Sequence, residues 1–225
     1  MKNQPMAEKN KKSAVLSLTG MAIMILLTAT KVTPSSKIAG YSMFVGIAFF
    51  FITEAAGKTR GSQSGLRFNT IATDLKKPGV MIWMLLPSVS GVATLAVGNL
   101  LFSGEFVPYV MGRTSVMLSF DKLVLMIGQV IIAAFGEEIA FRGFFFGKSS
   151  RLFPVWVCAV VSSAVFAAGH IAAGSAGIVA YDVATIFIDS LIFTAVYHRS
   201  GNCVVSTFSH ILGNAASLVA ALMFF

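Results

Sequence analysis

Three ionisable residues interrupt an apolar stretch near the middle of the chain: Glu137, Glu138 and Arg142. Charged side chains inside a lipid-soluble segment are energetically expensive, so they usually mark a function. On an α-helix, Glu138 and Arg142 share a face and can form an ion pair that lowers the cost of burying both. Glu137 is rotated by about 100° from Glu138 and has no basic residue three or four positions further on. We therefore predict a structural pair and, in Glu137, a carboxylate left free to react.

Two later apolar stretches carry further polar residues. Phe166 and His170 close one stretch, and His210 and Asn214 lie four residues apart in the last, where one helix face can present both side chains. A buried carboxylate can take a proton from water while a histidine orients that water. Hydrogen-bond donors aimed at the developing tetrahedral oxygen then stabilise its charge. Together these residue types predict a hydrolytic site built from three helices.

The composition defines the elements that must hold such a site. Of the 225 residues, 56% are hydrophobic and only 12% are charged, and the mean hydropathy is +0.82. These values are typical of a polytopic membrane protein rather than a water-soluble domain. The net charge of +8 is spread over short hydrophilic gaps, so we expect no nucleic-acid partner. Cys158 and Cys203 lie near the starts of apolar segments and are expected to be free thiols.

The fold class expected is all-α, a polytopic membrane helix bundle of about seven transmembrane helices, within a range of six to eight. A window of about 20 residues per span gives candidate segments near 14 to 30, 38 to 55, 79 to 102, 122 to 147, 154 to 172, 177 to 197 and 203 to 224. The first segment is interpreted as a retained helix rather than a signal peptide. We treat residues 1–225 as one integral membrane domain, with the hydrophilic connection from Glu54 to Pro78 dividing a first helix pair from the rest.

The distribution of Lys and Arg predicts a cytoplasmic N-terminus, because cytoplasmic loops hold the excess of basic residues. With seven spans in that orientation, four basic residues face outward: Lys31, Lys37, Arg113 and Lys122. Twelve face the cytoplasm: Lys2, Lys9, Lys11, Lys12, Lys58, Arg60, Arg67, Lys76, Lys77, Lys148, Arg151 and Arg199. His198 adjoins Arg199 in a predicted cytoplasmic turn, and we expect it to be solvated and non-catalytic.

Three motifs in order resemble the CPBP family of intramembrane proteases, also called the Abi or CAAX-protease-and-bacteriocin-processing family. They are Glu137-Glu138-x-x-x-Arg142, Phe166-x-x-x-His170 and His210-x-x-x-Asn214. The similarity covers about residues 120 to 225, the expected catalytic core. Residues 1–119 are similar to the family only in being hydrophobic membrane helices.

The resemblance implies an endopeptidase that cleaves a membrane-associated peptide or protein, such as a CAAX-type tail, a peptide pheromone, a bacteriocin or a membrane protein. It implies that Glu137 activates water with help from His170, and that His210 and Asn214 form the oxyanion site. Glu138, Arg142 and Phe166 would support this architecture. The location implied is the cytoplasmic membrane of a prokaryote, with the lipid bilayer and a peptide substrate as partners.

Several alternatives remain open. Asp182 and Asp189 lie seven residues apart on the sixth span, as polar contacts inside the bundle or as substrate contacts in a polar cavity. We expect no metal or other cofactor, yet Glu137, Glu138, His170 and His210 could hold zinc in the same protease. The chain could instead be a non-proteolytic scaffold or bacteriocin immunity protein of the same family. A small-solute or proton transporter with a polar relay is a further alternative.

Helix lengths raise one geometric difficulty. His170 lies 16 residues after Pro154, about 24 Å along a helix, whereas His210 lies 7 residues after Cys203, about 10 Å along. Straight, parallel helices starting at the same level would keep the two histidines apart. We therefore expect a tilted fifth helix, a fifth helix that starts outside the hydrocarbon, or an earlier start of the seventh.

Overall fold

The computed structural model describes residues 4–33, 35–57, 65–115, 118–119 and 121–224, and these form helices and short connections without a β-strand. Three of the twelve basic residues predicted to face the cytoplasm, Lys2, Lys58 and Arg60, lie outside these described residues. Two 3₁₀ turns, Thr30–Val32 and Ile38–Gly40, follow the first helix, and a π-helical segment, Glu138–Phe146, joins α6 to α7. The α-helices are α1 (Gln4–Ala29), α2 (Tyr41–Gly57), α3 (Ile71–Leu75), α4 (Val80–Leu101), α5 (Phe106–Thr114), α6 (Leu123–Glu137), α7 (Gly147–Ser149), α8 (Val155–Ala168), α9 (Ala176–Ser200) and α10 (Cys203–Phe224).

Within the described residues, six helical stretches are long and apolar enough to cross a membrane. The chain is an integral membrane protein with the predicted all-α bundle fold. The six stretches are Lys11–Val32, Ile38–Gly57, Val80–Leu101, Leu123–Ser149, Ala176–Ser200 and Cys203–Phe224. The predicted fifth span is shorter than expected, because α8 has only 14 residues, about 21 Å. A hydropathy window could not find this end, since the residues after Ala168 remain apolar although the helix stops.

The fourth span contains the main departure from regular helix. From Glu138 to Phe146 the backbone is π-helical, and every side chain in this segment is buried. A π-helix bonds each residue to the fifth one along and is found mostly at functional sites. The segment packs closely on α2, where a Cβ added to Gly46 would lie 2.6 Å from that of Ala140. The regular α-helix expected for this span therefore ends at Glu137, and the backbone is π-helical from Glu138 to Phe146.

The connection between α2 and α4 clamps the turn between α9 and α10. Asp74 is 3% exposed and accepts hydrogen bonds from Thr70 (2.7 Å) and Asn202 (2.9 Å). It also pairs with Arg67 (3.1 Å) and Lys77 (2.7 Å). The hydrophilic connection, which the sequence predicted only to separate the first helix pair from the rest, thus holds the last two helices together.

The same cluster satisfies the helix ends at this turn. The Asn202 side-chain oxygen accepts a hydrogen bond from the Val204 amide (3.1 Å) and caps the start of α10. The Ser200 carbonyl, at the end of α9, accepts hydrogen bonds from Arg67 (3.3 Å) and Lys77. Cationic donors at a helix C-terminus are favourable because the last carbonyls are otherwise unpaired.

Asp74 makes the stability of this clamp pH-dependent. Burial raises the pKa of the Asp74 carboxyl, but the hydrogen bonds from Lys77, Thr70, Asn202 and Arg67 outweigh it and hold the pKa well below its usual range. A depressed folded-state pKa contributes stability that is complete above the unfolded-state pKa, about 3.9, and is lost as the pH falls through the folded-state value. Asp74→Asn is expected to lower the free energy of unfolding at pH 7 by about 1–3 kcal/mol.

Thermal unfolding of both purified proteins in detergent between pH 7 and pH 3 measures this effect. The advantage of the wild type over Asp74→Asn should begin to shrink below about pH 4 and be smaller at pH 3 than at pH 7. An equal gap at every pH would contradict this role of Asp74.

Candidate active site

Two helical hairpins bring the motif residues to one level. Glu138 and Phe166 lie equally far from the turn between α7 and α8. The number of residues from Glu138 to the end of α7 at Ser149 equals the number from the start of α8 at Val155 to Phe166. In the same way, Phe193 on α9 and His210 on α10 lie the same number of residues from the turn that joins these two helices. The rings of Phe193 and His210 stack with centroids 4.4 Å apart. Equal distances from each hairpin turn thus place opposite residues side by side.

Helix α10 begins deeper inside the bundle than α8 does. This difference in starting level explains how His170 and His210 reach the same site. A Cβ added to Gly143 would lie 2.6 Å from the Cys203 sulfur, so α10 begins level with a residue well inside the fourth span. Asn202 and Cys203 are fully buried, because the clamp around Asp74 covers their turn. The two hairpins therefore start at different levels, and a strongly tilted fifth helix is not needed to explain how the motifs meet.

Glu138 and Arg142 form the ion pair that their spacing predicts. Their closest nitrogen and oxygen atoms are 3.0 Å apart, and the side chains are 0% and 1% exposed. The Arg142 guanidinium also donates to the Ser190 hydroxyl (2.9 Å) and carbonyl (3.2 Å). It lies over the rings of Phe166 (4.6 Å) and Phe193 (5.2 Å). This pair therefore joins the π-helical segment to α8 and α9.

His210 lies between the two glutamates. Its Nδ1 is 3.0 Å from the Glu138 carboxylate, while its Nε2 is 3.7 Å from the Glu137 carboxylate, longer than a hydrogen bond. The Glu137 side chain remains 20% exposed, in contrast to fully buried Glu138. The contact between Glu138 and His210 was missed by the sequence analysis, because helical spacing relates residues within one helix only.

His170 lies just beyond the end of α8 and is held by its own motif. Its Nδ1 is 2.9 Å from the Phe166 carbonyl. A carbonyl can only accept, so Nδ1 carries the hydrogen and Nε2 of the neutral ring is an acceptor. The Phe166 ring lies 4.7 Å from the His170 ring and 6.2 Å from the His210 ring. Among the described side chains, no direct hydrogen bond or ion pair joins His170 to Glu137.

Asn214 makes no hydrogen bond to another predicted site residue among the residues that the structure describes. It lies on α10 one turn beyond His210 and is exposed, whereas His210 is buried. The spacing of four residues keeps both side chains on one side of the helix. Its predicted role therefore depends on its amide turning toward a bound substrate.

The two aspartates of α9 have different surroundings. Asp182 is 2% exposed and pairs with Arg113 of α5 (3.1 Å), which removes Arg113 from the free loop residues used in the orientation argument. Asp189 is half-buried. It lies close enough to Ser90 of α4 and to His210 to interact with both. Asp182 is thus a polar contact inside the bundle, and Asp189 lies within electrostatic range of the site residue His210.

The four residues predicted as possible zinc ligands have other contacts or lie apart. Within the described ranges, no three or more His, Cys, Asp or Glu side chains converge in an arrangement that could hold a metal ion. Glu138 is already bound by Arg142 and His210. Cys158 and Cys203 are free and buried, as predicted, and add no ligand. Arg142 and His210 would therefore compete with zinc for Glu138, one of its four proposed ligands.

Comparison with known proteins supports the motif-based resemblance. Residues 119–216 match the family model described as type II CAAX prenyl endopeptidase Rce1-like, a span that contains all three motifs. No curated protein and no solved structure matches the chain. The family is one of proteases. Over residues 119–216, the chain is therefore similar to the Rce1-like family of type II CAAX prenyl endopeptidases.

Proposed function

We propose that this protein is an intramembrane endopeptidase in which Glu137 activates the attacking water. The observation that carries the proposal is the contrast within the glutamate pair. Glu138 is fully buried and bound by Arg142 and His210, whereas Glu137 is partly exposed at 3.7 Å from His210. A general base must be accessible to water and not already bound in a strong hydrogen bond. The similarity of residues 119–216 to a protease family supports peptide-bond hydrolysis as the reaction.

His170 supports the same assignment as the residue that orients the water. With Nδ1 donating to the Phe166 carbonyl, Nε2 is left as an acceptor. A water molecule placed between Glu137 and His170 would donate one hydrogen to each and direct its lone pair at the scissile carbonyl. Glu137 would take the proton as the oxygen attacks, and would return it to the leaving amine as the carbon–nitrogen bond breaks.

His210 and Asn214 are the proposed donors to the tetrahedral oxygen. His210 is held by the bond of its Nδ1 with Glu138 and by stacking on Phe193. Its Nε2 would donate to the oxygen in the form that carries a hydrogen on both ring nitrogens. The Asn214 amide, one turn along α10, would supply the second donor. Fixed donors of this kind are effective because they need no reorganisation during the reaction.

The proposed substrate is a membrane-associated peptide or protein with its cleaved bond at the level of Glu137, in the cytoplasmic membrane of a prokaryote. Peptides that accumulate in cells carrying the wild type or Glu137→Gln provide the test. We expect a defined set of cleavage products that only the wild type forms. Identical peptide profiles, combined with full rescue of a deletion phenotype by Glu137→Ala, would instead assign the protein a scaffold or immunity role.

We also propose that hydrolysis needs no metal ion. Glu138, one of the four zinc ligands considered, is bound by Arg142 and His210. Purified wild-type protein treated with a strong chelator is expected to keep its full cleavage rate. A loss of activity with the chelator, followed by recovery on adding zinc, would favour the zinc-dependent protease.

A further inference from the structure

An open cavity of about 430 Å³ lies at the turn between α9 and α10, beside the clamp around Asp74. Its lining includes the cations Arg67, Lys77 and Arg199, and Asp74 is the one acidic side chain among the described residues that line it. A volume of this size is typical of pockets that bind small molecules. Three cations against one carboxylate give the cavity a net positive charge, so a ligand of matching chemistry is an anion.

Two of the cations keep hydrogen-bond donors for such a ligand. The Lys77 ammonium is 2.7 Å from the Asp74 carboxylate and donates to the Ser200 carbonyl. An ammonium carries three hydrogens, so one remains. Arg199 is exposed, and its guanidinium donates to the Pro78 carbonyl (3.5 Å). A guanidinium has five N–H donors, so Arg199 can bind the oxygens of an anion while it keeps this contact.

The cavity lies where the membrane-crossing helix α4 begins. Trp83, in the first turn of α4, lies 5.5 Å from the Arg199 guanidinium, and tryptophan is typical of the headgroup level of a membrane. The exposed apolar side of α4 begins in the same turn and includes Ile82, Leu85 and Val89, which helical spacing places together. Arg199 is also predicted to face the cytoplasm, the side on which the leaflet carries anionic lipids. A phospholipid can therefore place its phosphate in the cavity and its acyl chains along α4.

We propose that this cavity binds the headgroup of an anionic phospholipid, with Arg199 and Lys77 contacting its phosphate. Guanidinium and ammonium groups form strong, charge-assisted hydrogen bonds with phosphate oxygens. The site shares no residue with the candidate active site, so the inference goes beyond the proposed endopeptidase function and does not depend on it. The bound lipid stabilises the clamp around Asp74, and with it the turn from which α10 starts.

Tryptophan fluorescence measures the binding directly. The chain has two tryptophans, so Trp156→Phe leaves Trp83, beside the cavity, as the single reporter. The full-length protein with this change is placed in phosphatidylcholine nanodiscs that contain a minor fraction of lipid with brominated acyl chains, which quench a tryptophan only at short range. Brominated phosphatidylglycerol should quench Trp83 about twofold or more as strongly as brominated phosphatidylcholine at the same fraction. Equal quenching by the two lipids would overturn the proposal.

Two arginine variants, each combined with Trp156→Phe, distinguish this site from a general attraction to the bilayer surface. Arg199→Gln removes an exposed cation of the cavity. Arg151→Gln is the matched control, because Arg151 is also exposed and predicted to face the cytoplasm but does not line the cavity. The stronger quenching by the anionic lipid should disappear in Arg199→Gln and persist in Arg151→Gln. Its persistence in Arg199→Gln, or an equal loss in both variants, would overturn the proposal.

The melting temperature distinguishes a lipid headgroup from a soluble phosphate. Nanodiscs of phosphatidylglycerol should raise the melting temperature of the wild type by about 4 °C or more over nanodiscs of phosphatidylcholine. Arg199→Gln should lose most of this gain, and Arg151→Gln should keep it. Inorganic phosphate or glycerol phosphate added to the phosphatidylcholine nanodiscs should give no gain. A gain from soluble phosphate equal to that from the anionic nanodiscs would overturn the assignment of the cavity to a lipid.

Discussion

Glu137→Gln is expected to slow peptide cleavage by a factor of about one hundred to ten thousand, the usual contribution of a general base. Glutamine keeps the size of the side chain but cannot take a proton from water. Glu137 is partly exposed and its nearest ionic contact, with His210, is 3.7 Å, so the change should leave the helix packing intact. The rate of cleavage of a farnesylated peptide and the melting temperature of the purified protein measure the two effects.

Matched histidine variants sharpen that experiment. His170→Gln and His210→Gln should also lower the rate strongly, because both rings lie at the site. His198→Gln should not, since His198 is exposed near the end of α9. Cleavage by Glu137→Gln at the wild-type rate would remove Glu137 from the mechanism. A strong loss in His198→Gln would show that the assay reports general damage to the protein.

Arg142→Met is expected to destabilise the protein by about 3–5 kcal/mol, because it leaves the Glu138 carboxylate buried without its ionic partner. The Arg142 side chain also donates to Ser190 on α9, so the change disconnects the π-helical segment from that helix. A denaturant titration of both purified proteins in detergent measures the loss in the free energy of unfolding.

A second variant tests whether the buried charge is the cause. Combining Glu138→Gln with Arg142→Met removes both charges and should recover much of the stability lost in the single variant. If the double variant is as unstable as the sum of its two single changes, packing rather than charge accounts for the loss. A single variant as stable as the wild type would contradict the structural role of the pair.

The parts of the site that could be predicted from the sequence are those that depend on one helix. The spacing of Glu138 and Arg142 predicts their contact, and the contact is formed. The three motifs also predict the family, and residues 119–216 match it. Apolar segments of sufficient length predict the all-α membrane bundle, because lipid leaves few other ways to satisfy the backbone.

What could not be predicted depends on how separate helices meet. The level of His210 follows from the recessed start of α10, which is set by the contact of Asn202 with the distant Asp74. The pairing of Arg113 with Asp182 joins residues 69 positions apart, and no local pattern reveals it. The early end of α8 is hidden because apolar residues continue beyond it. Asn214, predicted from its spacing to lie beside His210, is exposed one turn away.

The most direct test of the central claim is cleavage of a farnesylated CAAX-type peptide by the purified protein in water enriched in heavy oxygen, with mass spectrometry of the products. The account predicts that the wild type forms a product with one heavy oxygen in its new C-terminal carboxylate, and that Glu137→Gln forms almost none. Cleavage and labelling by Glu137→Gln at the wild-type level would contradict the claim that Glu137 activates the attacking water.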